Sequence, residues 1–115
     1  MGYGFGGNFG GGMGNMQALM RQAQKMQEDM KRIREEIDNS EYSSSVGGGM
    51  VEVVMYGNKK VKSVKIKPEV VDPEDVEMLQ DLVIAAINEA VENIEKTTEE
   101  EMSAITGGVS LPGLF

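Results

Sequence analysis

The sequence predicts an α+β fold, in which a helix, a three-stranded antiparallel sheet and a long second helix follow one another in a single domain. Three observations support this prediction. An apolar heptad pattern runs unbroken from Met16 to Ile37, β-branched residues flank a glycine-rich turn at residues 47–49, and an acid-proline helix start at Asp72 precedes a long apolar stretch.

Helix 1 is predicted from about Met16 to about Asp38, with Asn15 as its N-cap. Its apolar residues recur at alternating spacings of three and four, as in the a/d seam of a coiled coil: Met16, Leu19, Ala23, Met26, Met30, Ile33 and Ile37. Such a narrow seam requires a partner helix. The second helix of the same chain and the first helix of another copy are both open as partners.

Three strands are predicted between the helices. A weak alternation over residues 42–46 favours a short edge strand, and Met50–Tyr56 is the clearest strand because it is rich in β-branched residues. Gly57-Asn58 is a two-residue hairpin signal, after which Lys60–Lys67 forms the third strand. The side chains expected on the core side are Val51, Val53 and Met55 in the second strand and Val64 and Ile66 in the third.

Helix 2 is predicted to begin with Asp72 as N-cap and Pro73 in the first position, and to end before Gly107-Gly108. Its apolar surface is wider than one stripe, which is typical of a helix buried on more than one side. We expect one side to cover the sheet and the other to contact a second subunit. The predicted dimer interface consists of Leu82, Val83, Ile84 and Ile87.

The two ends of the chain are unlike the middle. Residues 1–15 contain eight glycines and no helical or strand periodicity, so they are predicted to be a disordered arm. Residues 108–115 form a short apolar tail. The middle, residues 16–107, is the predicted dimerising domain.

The composition excludes several functions. The chain has no cysteine and no histidine, so disulfides, thiolate chemistry, zinc sites built on these residues and catalytic triads that use them are excluded. No pair of carboxylates lies on an apolar background. We therefore expect no enzyme, no metal and no cofactor. No apolar run reaches the ~20 residues of a membrane span, and no signal peptide is recognisable, so a cytoplasmic location without membrane contact is predicted.

Charge is unevenly distributed along the chain. The net charge is −8, yet residues 41–67 carry five lysines and two glutamates, whereas residues 68–115 carry one lysine and twelve acids. Lysines on a strand can guard a sheet edge against aggregation or contact a polyanion, and both roles remain open. In helix 1, most charges pair at i,i+4, but Arg21 has the like charge Lys25 at that spacing and no acid before Glu28.

Several short segments combine into a family signature: Leu19–Gln27, the turn Gly47–Gly49 leading into Met50–Tyr56, Lys67–Glu69, Glu77–Val83 and Gly107–Gly113. In order and spacing they resemble the YbaB/EbfC nucleoid-associated proteins of bacteria. The resemblance implies a tweezer-shaped homodimer that binds double-stranded DNA with loose sequence preference and influences nucleoid organisation and gene expression. It also implies that Arg21 and Lys25 match basic positions of the first-helix motif.

Two functional hypotheses follow. The first is a dimeric nucleoid protein whose cations contact DNA phosphates, namely Arg21, Lys25, Lys31, Arg32, Lys59, Lys60, Lys62, Lys65 and Lys67. The second is a protein-interaction module whose methionine-rich helix and apolar surfaces dock a partner, with DNA binding weak or absent.

Overall fold

A computed structural model describes the backbone of residues 2–107 and the side chains of residues 15–107. It confirms the α+β prediction. Helix α1 spans Gly2–Asn39, and the strands are β1 (Glu41–Val46), β2 (Val51–Tyr56) and β3 (Val61–Ile66). A short 3₁₀ helix at Pro68–Val70 leads to helix α2, which spans Val76–Thr106. Within this part of the chain, neither helix is long and apolar enough to cross a membrane.

The sheet is antiparallel with the order β1-β2-β3, so β2 is the central strand. The predicted inward side chains of β2, Val51, Val53 and Met55, are fully buried, which confirms the expected face. Helix α2 packs on them through Ala86, Ala90 and Ile94. The small alanine side chains let the helix backbone approach the sheet closely.

A buried hydrogen bond also joins α2 to β1. The Ser44 hydroxyl is 5% exposed and donates to the carbonyl oxygen of Ala86 at 2.5 Å. Because directly opposed residues of a sheet share a face, Ser44 lies on the same side as Val53. The weak edge strand predicted from the sequence is therefore fixed to the core helix by its central residue.

The C-terminal half of α1 packs against α2 of the same chain. Met30 and Ile37 are buried, Ile33 contacts the core, and Met102 of α2 is buried. This shows which helix accompanies the heptad seam over its second half. In contrast, the described side chains of residues 15–25 are all exposed. The first half of the seam therefore has no partner within the described part of the chain.

The start of α1 differs from the prediction. The helix is continuous from Gly2 through Asn15, so Asn15 lies inside α1 and is not its N-cap. No proline interrupts the backbone hydrogen bonds of this stretch. Each glycine in a helix interior still costs about 1 kcal/mol relative to alanine. The predicted disorder of residues 1–15 stays a prediction, and the predicted tail at residues 108–115 lies outside the described residues.

The start of α2 also differs from the prediction. The N-cap is Asp75, whose side chain accepts a hydrogen bond from the Met78 backbone N–H at 3.2 Å. Asp72 instead closes a turn, because its Oδ1 accepts from the Glu74 N–H at 2.9 Å. Two acids at this spacing both suit an N-cap, and the one nearer the apolar stripe takes the position. At the other end, Gly107 has φ 67° and caps the helix as predicted.

The β2–β3 hairpin is longer than the predicted two-residue turn. The Lys59 N–H donates to the Tyr56 carbonyl and the Tyr56 N–H to the Lys60 carbonyl, each at 2.8 Å. The residue in the left-handed conformation is Lys59, with φ 69°, and not a glycine. The strand pairing is also shifted after Val54, which leaves Lys62 as the extra residue.

Candidate nucleic-acid interface

The exposed N-terminal part of α1 carries two cations. Arg21 and Lys25 are the charged residues between positions 15 and 27, and both are exposed. Because they are four residues apart, they lie on one face, about 5–6 Å from each other. Neither forms an ion pair with any residue in the described range. This helix segment therefore presents an uncompensated double positive charge to solvent.

Further along α1, the predicted i,i+4 ion pairs are mostly absent from the described side chains. Arg32 lies between two carboxylates, 3.1 Å from Asp29 and 3.8 Å from Glu36. Arg32–Glu36 is the one i,i+4 pair among the described ion pairs. Arg32 is thus the candidate on α1 whose charge is largely compensated by its own helix.

Lys31 lies beside a shallow groove between the two helices. The groove is lined by Gln27, Met30, Lys31 and Arg34 of α1 and by Met102 of α2. Arg34 is not among the predicted DNA contacts, yet the described ion pairs include none for Arg34. The groove floor is apolar and its rim carries two cations.

Two lysines of the hairpin are neutralised inside the chain. Lys59 Nζ lies 3.3 Å from Glu95 Oε1 of α2, and Lys62 Nζ lies 2.5 Å from Glu41 Oε1 of β1. The hydrogen bond to Glu41 and the attraction of its charge raise the pKa of Lys62. Both pairs are exposed, so water and salt weaken them. They nevertheless reduce the positive field that the five lysines were predicted to create.

The remaining lysines are divided between the two ends of the sheet. Lys60 is in the β2–β3 loop, whereas Lys67 follows β3 at the opposite end, next to the β1–β2 loop. Lys65 is directly opposite Glu52 in the register. The structure therefore does not bring the lysine-rich hairpin together into one compact basic patch.

Most of the predicted dimer interface is partly buried within its own subunit. Leu82, Val83 and Ile87 are half-buried and pack against the core of their own chain. Ile84, in contrast, is 55% exposed. The wide apolar surface of α2 is thus explained largely by packing within the subunit.

The core-side residues of β3 are more exposed than the sequence predicts. Val61, Val64 and Ile66 of β3 lie opposite Met55, Val53 and Val51, so they share the core face, yet they are 47%, 41% and 39% exposed. A helix is about 10 Å across and strands are about 4.8 Å apart, so α2 can cover only two strands. The sequence predicts three strands and one helix that covers the sheet, and this ratio alone indicates that one strand is left uncovered.

Further exposed apolar side chains follow β3 in the chain. Val71 and Val76 are about half exposed, and Met78 is 40% exposed. The inner residues of β3, namely Val61, Val64 and Ile66, form the uncovered apolar face, and Ile84 on α2 is a further exposed apolar residue. No described side chain covers these residues completely.

Comparisons with known proteins agree with this architecture. The model of the YbaB/EbfC DNA-binding family matches residues 13–109. A Clostridium kluyveri protein named nucleoid-associated protein is 54% identical over 108 residues, covering 94% of each chain. A Ruminiclostridium cellulolyticum protein of the same name is 52% identical over 111 residues, covering 96% of this chain and 94% of the relative.

The fold also has a counterpart among solved structures. The crystal structure of an uncharacterized protein from Helicobacter pylori superposes with a TM-score of 0.56 at 23% identity. The match covers 68% of this chain and 90% of the Helicobacter pylori chain, and at this identity it shows the fold alone. The family match and the two close relatives together show that the chain belongs to the YbaB/EbfC DNA-binding family.

Proposed function

We propose that this chain is a nucleoid-associated protein that binds double-stranded DNA as a homodimer with low sequence specificity, influencing nucleoid organisation and gene expression. The family description and the names of the relatives support this function and a location in the bacterial nucleoid. The observation that carries the proposal is the pair Arg21 and Lys25 on an exposed, otherwise uncharged stretch of helix.

The binding mechanism is electrostatic. Each phosphate contacted by a cation releases condensed counterions, and this release supplies most of the free energy of non-specific DNA binding. Arg21 and Lys25 bear free charges, and Lys31, Lys60, Lys65 and Lys67 form no ion pair in the described range. Arg32, Lys59 and Lys62 belong to the interface only when DNA phosphates replace their carboxylate partners.

A second copy of the chain doubles these contacts. We infer that it docks on the uncovered apolar face, because two-fold symmetry brings the same face from each protomer together and removes both from water. The residues of β3 continue the core of the subunit directly, so the joined faces extend one apolar interior across the dimer. Ile84 is the predicted interface residue best placed to take part, since its side chain is largely exposed.

The acidic part of the chain opposes DNA on one side. Residues 68–115 carry one lysine and twelve acids, and Glu99, Glu100 and Glu101 are consecutive in α2. Like charges repel phosphates, so this surface should face away from the duplex. The projecting part of α1 therefore makes the closest approach to DNA.

A protein-interaction module remains the second candidate function. Met16, Leu19 and Met20 are 62–63% exposed on the same projecting part of α1. Methionine adapts to differently shaped partners, so an unpartnered methionine-rich seam suits helix docking. The two functions predict opposite effects of charge reversal.

The test is the double variant Arg21→Glu/Lys25→Glu, compared with Lys96→Glu as a control. Lys96 is exposed on α2 and lies outside the proposed interface. At low salt, the double variant should lose at least tenfold in affinity for a random duplex, while the control stays within about twofold of the unmodified chain. Equal affinities for all three proteins would contradict the proposed interface and favour the interaction module.

A further inference from the structure

The β1–β2 loop has an unusual backbone. Gly47, Gly48 and Gly49 have φ values of 63°, 67° and 90°, so three consecutive residues are in the left-handed region. Side chains with a Cβ are strained there, and glycine is not. The three glycines thus allow the β1–β2 loop a backbone conformation in which other residues would be strained.

The loop contacts helix α2 at Gly47 and is open to solvent at Gly48. A Cβ at Gly47 would lie 3.2 Å from Leu82 Cδ2, so α2 supports the loop at that point. A Cβ at Gly48 would meet no atom within 4 Å. The backbone N–H groups of the three glycines make no hydrogen bond to any described residue. The loop therefore presents donors next to empty space.

Two polar side chains converge on the same loop. Lys67 Nζ and Ser45 Oγ each lie 3.9 Å from the Cβ position of Gly49. Neither group has an ion-pair or hydrogen-bond partner in the part of the chain that the structure describes. The Lys67 backbone is joined to the end of the loop, because its N–H donates to the Met50 carbonyl at 2.9 Å. An ammonium group and a hydroxyl thus lie beside Gly49, in a loop whose glycine N–H groups make no hydrogen bond within the described range.

One acidic residue, Glu52, lies in the strand that follows the loop. Glu52 is paired in the register with Ser45 on one side and with Lys65 on the other. Lys65 lies opposite Glu52 in the register, and Lys67 forms no ion pair in the described range. Lys67 therefore supplies a cation beside Gly49, although the chain as a whole carries −8.

We infer that the loop Gly47–Gly49, with Ser45 and Lys67, is a contact site for one phosphodiester of the DNA backbone. Phosphate oxygens accept hydrogen bonds from the combination found here, namely lysine, serine and backbone N–H groups. The site rests on the proposed function, because DNA is the polymer that supplies the phosphodiester. It contains no group that reads a base, so it orients the duplex without selecting a sequence.

The first experiment measures DNA binding against salt for the unmodified chain, Lys67→Gln and the control Lys96→Gln. Loss of one phosphate contact lowers the slope of log K against log salt by about 1 for each loop that engages DNA. Lys67→Gln should show this reduction and the control should not. If the unmodified chain binds DNA and the two variants have equal slopes, the loop site is wrong while the proposed function stands.

The second experiment does not depend on DNA. Inorganic phosphate is titrated into ¹⁵N-labelled protein at constant ionic strength, with chloride replaced stepwise. The amide resonances of Gly48 and Gly49 should shift and saturate, and Lys67→Gln should abolish the shift. Unmoved glycine amides would overturn the site. If the unmodified chain fails to bind DNA, the proposed function fails, and the phosphate titration alone decides whether the loop takes an anion.

Discussion

The carbonyl oxygen of Ile37 lies 1.8 Å from the point where a Cβ of residue 57 would stand. Gly57 therefore touches the last turn of α1 backbone to backbone, and its N–H donates to the Ser40 carbonyl at 3.0 Å. Its φ is not in the left-handed region, so a close approach and not a turn conformation requires glycine here. This contact fixes the end of α1 against the hairpin.

Gly57→Ala should be one of the most damaging single-methyl additions in the chain. A methyl group at 1.8 Å from backbone forces α1 and the hairpin apart, and overpacking of this kind costs about 3 kcal/mol. Gly48→Ala is the control, because it meets open space and bears only left-handed strain of about 1 kcal/mol. Urea unfolding measures both, and an equal loss of stability in the two variants would contradict the close contact.

Ser44→Ala should lower the free energy of unfolding by about 1 kcal/mol, because it removes a buried hydrogen bond between β1 and α2. Ser43→Ala is the matched control, since the Ser43 side chain is exposed and makes no described hydrogen bond. Thermal unfolding of the two variants under one buffer condition gives the comparison. A Ser43→Ala loss as large as that of Ser44→Ala would show that the Ser44 bond is not special.

If the chain dimerises through the uncovered apolar face as proposed, Val64→Glu should convert it to a monomer that remains folded. Val64 is 41% exposed in the subunit, so the carboxylate can reach water in the monomer, whereas the dimer would bury two of them. Ser63→Glu adds the same charge to the opposite face of β3 and should leave the dimer intact. Sedimentation equilibrium with circular dichroism measures both properties. A dimeric Val64→Glu protein would place the interface elsewhere.

Stability should fall in alkaline solution, partly through Tyr42. Burial, followed by the charge of Glu101, raises the pKa of Tyr42 above 10.0. A group with a raised folded pKa contributes stability that is complete below the unfolded value and is lost as pH rises through the folded value. Lys62, whose pKa is raised by Glu41, acts in the same direction.

Tyr42→Phe isolates the tyrosine contribution. Urea midpoints at pH 9 and pH 11 should differ less in this variant than in the unmodified chain, because phenylalanine has no proton to lose. Lys62→Met provides the parallel comparison for the ion pair. An unchanged pH dependence in Tyr42→Phe would contradict the raised pKa of Tyr42.

Local patterns in the sequence were sufficient to predict the order of the elements. The buried alternation of Val51, Val53 and Met55 and the left-handed cap at Gly107 follow from periodicity and glycine chemistry. The heptad seam correctly required a helix partner. The seam could not show that α2 packs against only its second half, because the extent of that contact depends on the position of the C-terminal end of α2 relative to α1.

The sequence did not predict the ion pairs between residues that are far apart in the chain. Glu95 neutralises Lys59 and Glu41 neutralises Lys62 across separations of 36 and 21 residues, and no charge count reveals this. The sequence predicts a turn at Gly57, because the pattern along the chain cannot show that Gly57 contacts the backbone of Ile37. Conversely, Arg21 forms no ion pair in the described range, as expected, because no acid precedes Glu28 on the helix. Lys25 forms none there either, although the sequence predicts a pair with Asp29 four residues further on, because Asp29 pairs with Arg32 instead.

The most direct measurement is a salt titration of the unmodified protein against a random-sequence duplex, with the proposed dimer as the binding species. Arg21 and Lys25 from two protomers give four phosphate contacts, so log K should fall linearly with log salt with a slope of about −4 or steeper. Exchange of the duplex for another sequence should leave the slope unchanged. Absence of binding at low salt, or binding that is independent of salt, would contradict the proposal that this chain holds DNA through its exposed cations.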